Sequence, residues 1–110
     1  MQIKFKIWIE NDEGELIIGE GLLKLLTAIK ETGSISRASK EINMSYRTAW
    51  GKLKKLEKRL GYQLVEKKHG GEKGGGTTLT SNGEKLLENY NQIYQNTEAF
   101  VQKQFEAFLK

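Results

Sequence analysis

The chain lacks cysteine and proline and contains one histidine, His69, among its 110 residues. The absence of cysteine excludes a disulfide scaffold, a thiolate metal site and a cysteine nucleophile. With a single histidine besides, we expect no transition-metal site. No apolar run approaches the ~20 residues that a membrane-spanning helix requires, and the alternating residues at the start do not form a signal peptide. We therefore expect a soluble, cytoplasmic protein.

The positive charge of the chain is concentrated in one stretch. The net charge is +4. Residues 45–68 hold eight Lys/Arg against two Asp/Glu, whereas residues 1–44 hold six against seven. A basic stretch of this kind, in an otherwise balanced chain, is typical of a surface that contacts nucleic acid.

The first sixty residues predict a hairpin followed by three helices. Alternating apolar residues and the turn residues 11–14 predict a β-hairpin over residues 2–18. Apolar residues at helical spacing predict helices at about 20–32, 35–43 and 45–60. Because proline is absent, glycine has to end the helices, and Gly33 and Gly61 stand at two of these ends. Ser34 and Ser45 are the expected N-caps of the second and third helices.

The third predicted helix has two different faces. On a helical wheel its apolar residues form one narrow line: Ala49, Leu53, Leu56 and Leu60. Nearly opposite lies a basic face that contains Arg47, Gly51, Lys54 and Lys58. Ala38 and Ala49 are small enough for the second and third helices to cross closely. Two short helices, the second basic on its outer side, form the helix-turn-helix pattern.

The rest of the chain predicts a two-stranded wing and a long helix. The wing covers residues 63–80 and contains five glycines within residues 69–76. Ser81 and Glu84 have the spacing of a capping box that opens a helix over residues 81–110. A helix of ~30 residues is ~45 Å long, too long to be buried on so small a body. Part of its apolar stripe therefore needs a partner, and we expect a second subunit.

The combined pattern resembles a known family. The segments Gly33-Ser-Ile-Ser-Arg-Ala-Ser-Lys40 and Met44-Ser-Tyr-Arg-Thr-Ala-Trp50 resemble the N-terminal DNA-binding domain of the ModE-type, molybdate-responsive bacterial regulators. The glycine-rich segment from His69 to Gly83 resembles the wing of those proteins and the entry to their dimerisation helix. More broadly, Leu56-Glu-Lys-Arg-Leu-Gly61 is similar to the end of the recognition helix in LysR-type winged helices.

The resemblance implies a homodimeric regulator that binds double-stranded DNA. Its fold would be mainly α with a small β component, a winged helix-turn-helix domain over residues 1–80 and a dimerisation helix over residues 81–110. The expected DNA-binding residues are Ser34, Ser36, Arg37, Ser45, Tyr46, Arg47, Thr48, Trp50, Gly51, Lys54, Lys67, Lys68, Lys73, Gly74, Gly75 and Thr77. The expected dimerisation residues are Leu86, Leu87, Tyr90, Ile93, Tyr94, Thr97, Phe100, Val101 and Phe108.

Molybdate binding is not expected in this chain. In ModE-type regulators the oxyanion binds separate C-terminal domains, and the chain stops at Lys110 without them. The chain is either a free-standing short member of the family or a truncated one, and we expect the former. We expect no other cofactor and no metal.

The sequence alone leaves several alternatives open. Tyr46 would either pack on the preceding helix or reach a phosphate, and Trp50 would either pack between helix and wing or present an edge to the groove. The whole domain could instead bind an acidic protein through its basic face. An enzyme is not indicated, because no paired carboxylates and no nucleophile with a base are recognisable.

Overall fold

The computed structural model describes residues 1–68 and 76–110. Within these residues the chain forms four α-helices and four short strands, and the predicted fold class is confirmed. In chain order the elements are β1 (Ile9–Glu10), β2 (Leu16–Ile18), α1 (Glu20–Thr32), α2 (Ile35–Glu41), α3 (Tyr46–Leu60), β3 (Val65–Lys68), β4 (Gly76–Leu79) and α4 (Ser81–Leu109). Each predicted helix lies within two residues of an observed one.

The core lies where α1 meets α2, α3 and the start of α4. Leu25, Leu26 and Ile29 of α1 are fully buried. Ala38 and Ala49 are also fully buried, as their small size predicts for two helices that cross closely. Around this centre the burial of apolar side chains supplies the main stabilising free energy.

Local capping residues define the helix-turn-helix. The Ser34 side chain accepts a hydrogen bond from the Arg37 N–H, and the Ser45 side chain accepts one from the Thr48 N–H. Both predicted caps are confirmed. Gly33 and Gly61 end α1 and α3 with φ of 71° and 80°, a left-handed conformation in which glycine is favoured.

The N-terminal hairpin is shorter than predicted. Strands β1 and β2 pair antiparallel, with Ile9 opposite Ile18 and a bulge before Glu10, and residues 1–8 form no strand. These residues run along α4 instead: Phe5 stacks on Tyr94 at a centroid distance of 5.4 Å. The Tyr90 hydroxyl donates a hydrogen bond of 2.7 Å to the Ile7 carbonyl. The apolar alternation therefore reflects packing against a helix.

The predicted cap of α4 is wrong by one residue. Thr80, and not Ser81, is the N-cap, and its Oγ1 accepts from the Gly83 N–H at 3.0 Å. The Thr80 N–H donates to the Leu64 carbonyl, and its hydroxyl donates to the Gln63 carbonyl. These contacts with the preceding segment hold Thr80 outside the helix. Glu84, the expected partner in a capping box, forms an ion pair with Lys30 at 2.9 Å.

Replacing Gly83 by alanine is expected to destabilise the fold. A Cβ at Gly83 would overlap the backbone carbonyl of Leu64, which is itself bonded to Thr80. We expect Gly83→Ala to lower the free energy of unfolding by about 2 kcal/mol or more, in the range of overpacking. Urea unfolding followed by circular dichroism measures this loss.

Gly21→Ala is the matched control, because a Cβ at this position of α1 meets nothing within 4 Å. Alanine has a higher helix propensity than glycine, so the free energy of unfolding of this variant should equal that of the wild-type chain or exceed it by up to about 1 kcal/mol. Equal stability of the Gly83→Ala and Gly21→Ala proteins would contradict the close approach of α4 to Leu64.

Candidate nucleic-acid interface

Helix α3 has one face in the core and one face in solvent. Leu53 and Leu56 are buried, whereas Arg47, Lys54 and Lys58 on the opposite side are exposed. The division into faces follows the wheel that the sequence predicts. We call this exposed side the outer face of α3, and its residues are Arg47, Gly51, Lys54 and Lys58.

The wing lies beside the start of α2. Strands β3 and β4 pair antiparallel in regular register, with Lys67 opposite Thr77 and Lys68 opposite Gly76. The Thr77 N–H donates a hydrogen bond of 2.8 Å to the Gly33 carbonyl. A Cβ at Gly76 would lie 2.6 Å from the same carbonyl oxygen. This contact fixes β4 against the loop between α1 and α2.

Predicted site residues from three parts of the chain line one groove. The groove lies between the start of α2, the start of α3 and the wing. Among its lining residues are Ser34, Ser36, Tyr46, Lys67 and Thr77. Because these residues are distant in sequence, only the fold brings them together. Through Tyr46 the groove reaches the N-terminal end of α3.

The first turn of α3 and the start of α2 expose further predicted residues. Ser45 and Thr48 are exposed, and the Ser45 hydroxyl donates to Thr48 Oγ1 at 2.9 Å. Arg37 is exposed on α2, and Lys68 is exposed on β3. Lys73, Gly74, Gly75 and the neighbouring His69 lie outside the described residues.

The two aromatic residues of α3 are largely accessible. Trp50 is 47 % exposed and Tyr46 is 54 % exposed, so neither is a core residue. Lys54 Nζ lies 5.6 Å from the centroid of the Trp50 ring, a cation–π distance. Lys54 Nζ also lies 3.1 Å from Glu57 Oε1. The Lys54 ammonium is thereby held between the Trp50 ring and the Glu57 carboxylate.

Glu57 is a key residue that the sequence interpretation missed. It is 9 % exposed, and its Oε2 accepts hydrogen bonds from the N–H groups of Leu64 and Val65 at 2.7 and 3.3 Å. The carboxylate therefore joins α3 to the start of the wing. Its signal in the sequence is that it is the sole acidic residue of α3.

Arg59 belongs to the basic stretch but contacts the hairpin. Its Nε lies 3.3 Å from Glu15 Oε2, and its Nη1 donates to the Leu16 carbonyl at 2.7 Å. A hydrogen bond from Asn11, assisted by the charge of Arg59, lowers the pKa of Glu15 below its ordinary value. Arg59 thus positions the hairpin beside α3.

The expected dimerisation residues fall into two groups. Leu87 and Tyr90 are buried inside their own chain, and Leu86 packs against the same core. These three side chains pack within their own chain, and their role in dimerisation stays a prediction. Burial also raises the pKa of Tyr90. Tyr94 is half-buried against Phe5.

From Ile93 onward, α4 keeps an accessible apolar surface. Phe100 is 63 % exposed and Phe108 is 72 % exposed, and Ile93 is also exposed. Thr97 and Val101 between them are partly exposed. This surface, which we call the α4 stripe, has the residue spacing of one helix face.

The described part of the chain holds neither a cluster of metal ligands nor a membrane-spanning helix. In residues 1–68 and 76–110, no three histidine, cysteine or acidic side chains lie close enough together to hold a metal ion. No helix within these ranges is long and apolar enough to cross a membrane.

The arrangement of α2, α3 and the β3–β4 wing is that of a winged helix-turn-helix domain. Residues 21–84 match the model of the family described as "Bacterial regulatory helix-turn-helix protein, lysR family". The chain belongs to this family, and the predicted resemblance to LysR-type and ModE-type domains is confirmed.

The similar proteins are regulators and molybdenum-related proteins of bacteria. The molybdenum-pterin-binding protein MopB of Rhodobacter capsulatus is 40 % identical over 93 residues, which are 84 % of this chain and 33 % of MopB. The transcriptional regulator ModE of Haemophilus influenzae is 37 % identical over 83 residues, 76 % of this chain and 32 % of ModE. The chain thus spans about a third of the length of these relatives.

Solved structures show the same fold. The chain in a crystal structure of a CbnR_DBD–DNA complex superposes with a TM-score of 0.60 at 27 % identity, covering 77 % of this chain and 92 % of that one. The chain of full-length CbnR complexed with its target DNA gives a TM-score of 0.57 at 27 % identity over 74 % of this chain and 26 % of that one.

Removing the Glu57 carboxylate is expected to loosen the wing. Glu57→Ala leaves the Leu64 and Val65 N–H groups without their acceptor, so we expect a loss of about 2 kcal/mol in the free energy of unfolding, typical of hydrogen bonds to a charged group. Glu57→Gln keeps one acceptor oxygen, so it should lower the free energy of unfolding by less than Glu57→Ala does. Urea unfolding provides the measurement. Glu66→Ala, at an exposed position of β3, is the control, and a loss there as large as at Glu57 would contradict this role.

Proposed function

We propose that this chain binds double-stranded DNA as a homodimeric transcriptional regulator. Helix α3 enters the major groove, and the wing contacts the sugar-phosphate backbone or the minor groove. The observation that carries this proposal is the outer face of α3, which is basic and exposed and begins at Arg47, next to Tyr46 in the groove beside the wing. An α-helix fits the major groove, and lysine and arginine side chains neutralise the phosphates on either side.

The residues divide by the kind of contact they make. Ser45, Tyr46, Arg47 and Thr48 stand at the N-terminal end of α3, the end that reads base edges in helix-turn-helix proteins. An arginine there can form two hydrogen bonds with a guanine. Ser34 and Ser36 at the start of α2 and Lys67 on the wing contact phosphates, which position the protein without reading sequence.

Gly51 supports a close approach on the outer face. A glycine inside a helix costs roughly 0.5–1 kcal/mol relative to alanine. A Cβ at Gly51 would meet no described atom within 4 Å, so packing within the chain does not require glycine there. A missing side chain in the middle of the outer face lets the helix lie deeper in a groove.

The comparisons support the same function. ModE of Haemophilus influenzae is a transcriptional regulator by name, and the CbnR domain is bound to DNA in its crystal structure. A regulator of bacterial transcription acts in the cytoplasm, and DNA recognition by this domain requires no enzymatic activity. We therefore propose a cytoplasmic, non-enzymatic regulator.

The α4 stripe supports homodimerisation. Phe100, Phe108 and Ile93 expose apolar area that a second α4 would cover, since an interface between two copies places the same patch on both sides. A dimer of this kind binds two half-sites about one helical turn, or a multiple of one turn, apart.

Selection from a pool of random duplexes tests the function directly. We expect bound sequences to converge on a palindrome with half-sites spaced by about 10 base pairs or a multiple of that number. Convergence would support both DNA recognition and two-fold symmetry. Failure to retain any duplex, combined with binding to acidic proteins, would favour a protein-interaction domain instead.

Arg47 and Lys68 should differ in their effect on binding. We expect Arg47→Ala to weaken binding to the selected site by roughly 1–3 kcal/mol and to relax the preference at one base position. Lys68→Ala should weaken binding to all duplexes equally and reduce the salt slope by about 1. Titrations by fluorescence anisotropy at several salt concentrations measure both quantities.

Lys103→Ala is the control for these titrations, because Lys103 is an exposed residue in the second half of α4. It should leave affinity and salt slope unchanged. Equal losses for Arg47→Ala on the selected site and on random duplex would refute a base-reading role of Arg47.

A charge in the α4 stripe should separate the subunits. We expect Phe100→Asp to convert a dimer into a monomer in size-exclusion chromatography with light scattering, because a buried unpaired carboxylate is costly. Ala99→Asp is the matched control, because it introduces the same charge at the adjacent exposed position, which lies on another side of the helix. Dimers that persist in the Phe100→Asp protein would place the interface elsewhere.

A further inference from the structure

The tip of the N-terminal hairpin lies beside the basic side of α3. Glu13 and Glu15 line a shallow groove together with Lys54, Lys55 and Lys58. Arg59 lines the same groove and bonds to Glu15 and to the Leu16 carbonyl. Acidic side chains are therefore held at the edge of the face that we propose to contact DNA.

Several bonds hold this tip in a defined position. The Asn11 side chain accepts from the N–H groups of Glu13 and Glu15 at 3.1 and 2.8 Å. Backbone bonds join Asn11 to Glu15 and Gly14 to Asn11. Gly14 has a φ of 81°, the left-handed conformation that a tight turn requires. The tip is thus ordered by its own hydrogen bonds and is tied to α3 by Arg59.

Glu13 has a different role from Glu15. The Glu15 carboxylate pairs with Arg59 and accepts from Asn11. In the part of the chain that the structure describes, the Glu13 carboxylate takes part in no ion pair. The negative charge of Glu13 therefore acts on any group that approaches the adjacent lysines. The contacts that hold the hairpin in place do not use the Glu13 carboxylate, so they remain when Glu13 is replaced.

We propose that Glu13 is a specificity-determining residue, which limits contacts between DNA phosphates and the C-terminal half of α3. This inference rests on the proposed function. Non-specific binding depends on the number of phosphates that are neutralised, whereas base reading uses the N-terminal end of α3. A carboxylate beside Lys54, Lys55 and Lys58 repels phosphates there and leaves the base-reading end unaffected. It thereby weakens binding to random DNA more than binding to the correct site.

The test compares Glu13→Gln and Glu13→Lys with the wild-type chain on random duplex and on a selected site. A carboxylate about 10 Å from a phosphate in water predicts an effect of about twofold at low salt. We expect Glu13→Gln to bind random duplex about twofold more tightly at about 0.01 M salt, and less so at 0.15 M, where screening is stronger. Glu13→Lys should add one phosphate contact and steepen the salt slope by about 1. Both variants should reduce the ratio of the affinity for the selected site to the affinity for random duplex.

Glu98→Gln and Glu98→Lys are the matched controls, since they change the net charge equally at an exposed residue of α4. These variants should leave the salt slope unchanged. Equal effects at positions 13 and 98, or none at position 13, would overturn the inference while DNA binding by the wild-type chain still stands. If the wild-type chain fails to bind duplex DNA at all, the proposed function and this inference fall together.

Discussion

The position of the wing relative to α3 depends on one buried carboxylate. Glu57 accepts the Leu64 and Val65 N–H groups at the point where the chain leaves α3 and enters β3. A carboxylate taken out of water is stable only when such partners replace its hydration. On the other side of α3, the pair between Arg59 and Glu15 holds the hairpin. Glu57 thus fixes the wing on α3, and Glu15 fixes the hairpin on α3. The outer face of α3 therefore keeps one defined orientation relative to both.

The first turns of α4 pack within the core, whereas its second half is exposed. Its first turns belong to the subunit: Gly83 approaches Leu64 closely, and Tyr90 is buried with its hydroxyl bonded to Ile7. Its second half extends past this core and exposes Phe100 and Phe108. Because one rigid helix joins the two parts, a contact between second halves would set the distance between two copies of α3. In the proposed dimer, the geometry of the subunits and the half-site spacing would be linked in this way.

Much of the fold could be predicted from the sequence because it depends on local chemistry. Apolar residues at helical spacing identify α1 to α3, and Ser34, Ser45, Gly33 and Gly61 mark their ends through bonds within one turn. The outer face of α3 also follows from spacing alone. The prediction was wrong where a distant segment competes with a local signal. Ser81 has the right spacing for a cap, but Thr80 takes that role because it bonds to Leu64.

By itself, the sequence determined which apolar residues of α3 face the core and which basic residues are exposed, because helical periodicity places the two sets on opposite sides. Only the tertiary structure decided what those exposed residues face. Glu57 and Arg59 look like ordinary members of a charged helix, yet Glu57 bonds to Leu64 and to Val65 of β3, and Arg59 bonds to Leu16 of β2. Tyr90 has the spacing of the α4 stripe but is buried in the core of its own chain, and its hydroxyl is bonded to Ile7, more than eighty positions earlier. Such partners depend on how the chain folds back on itself, and no pattern in a local window contains that information.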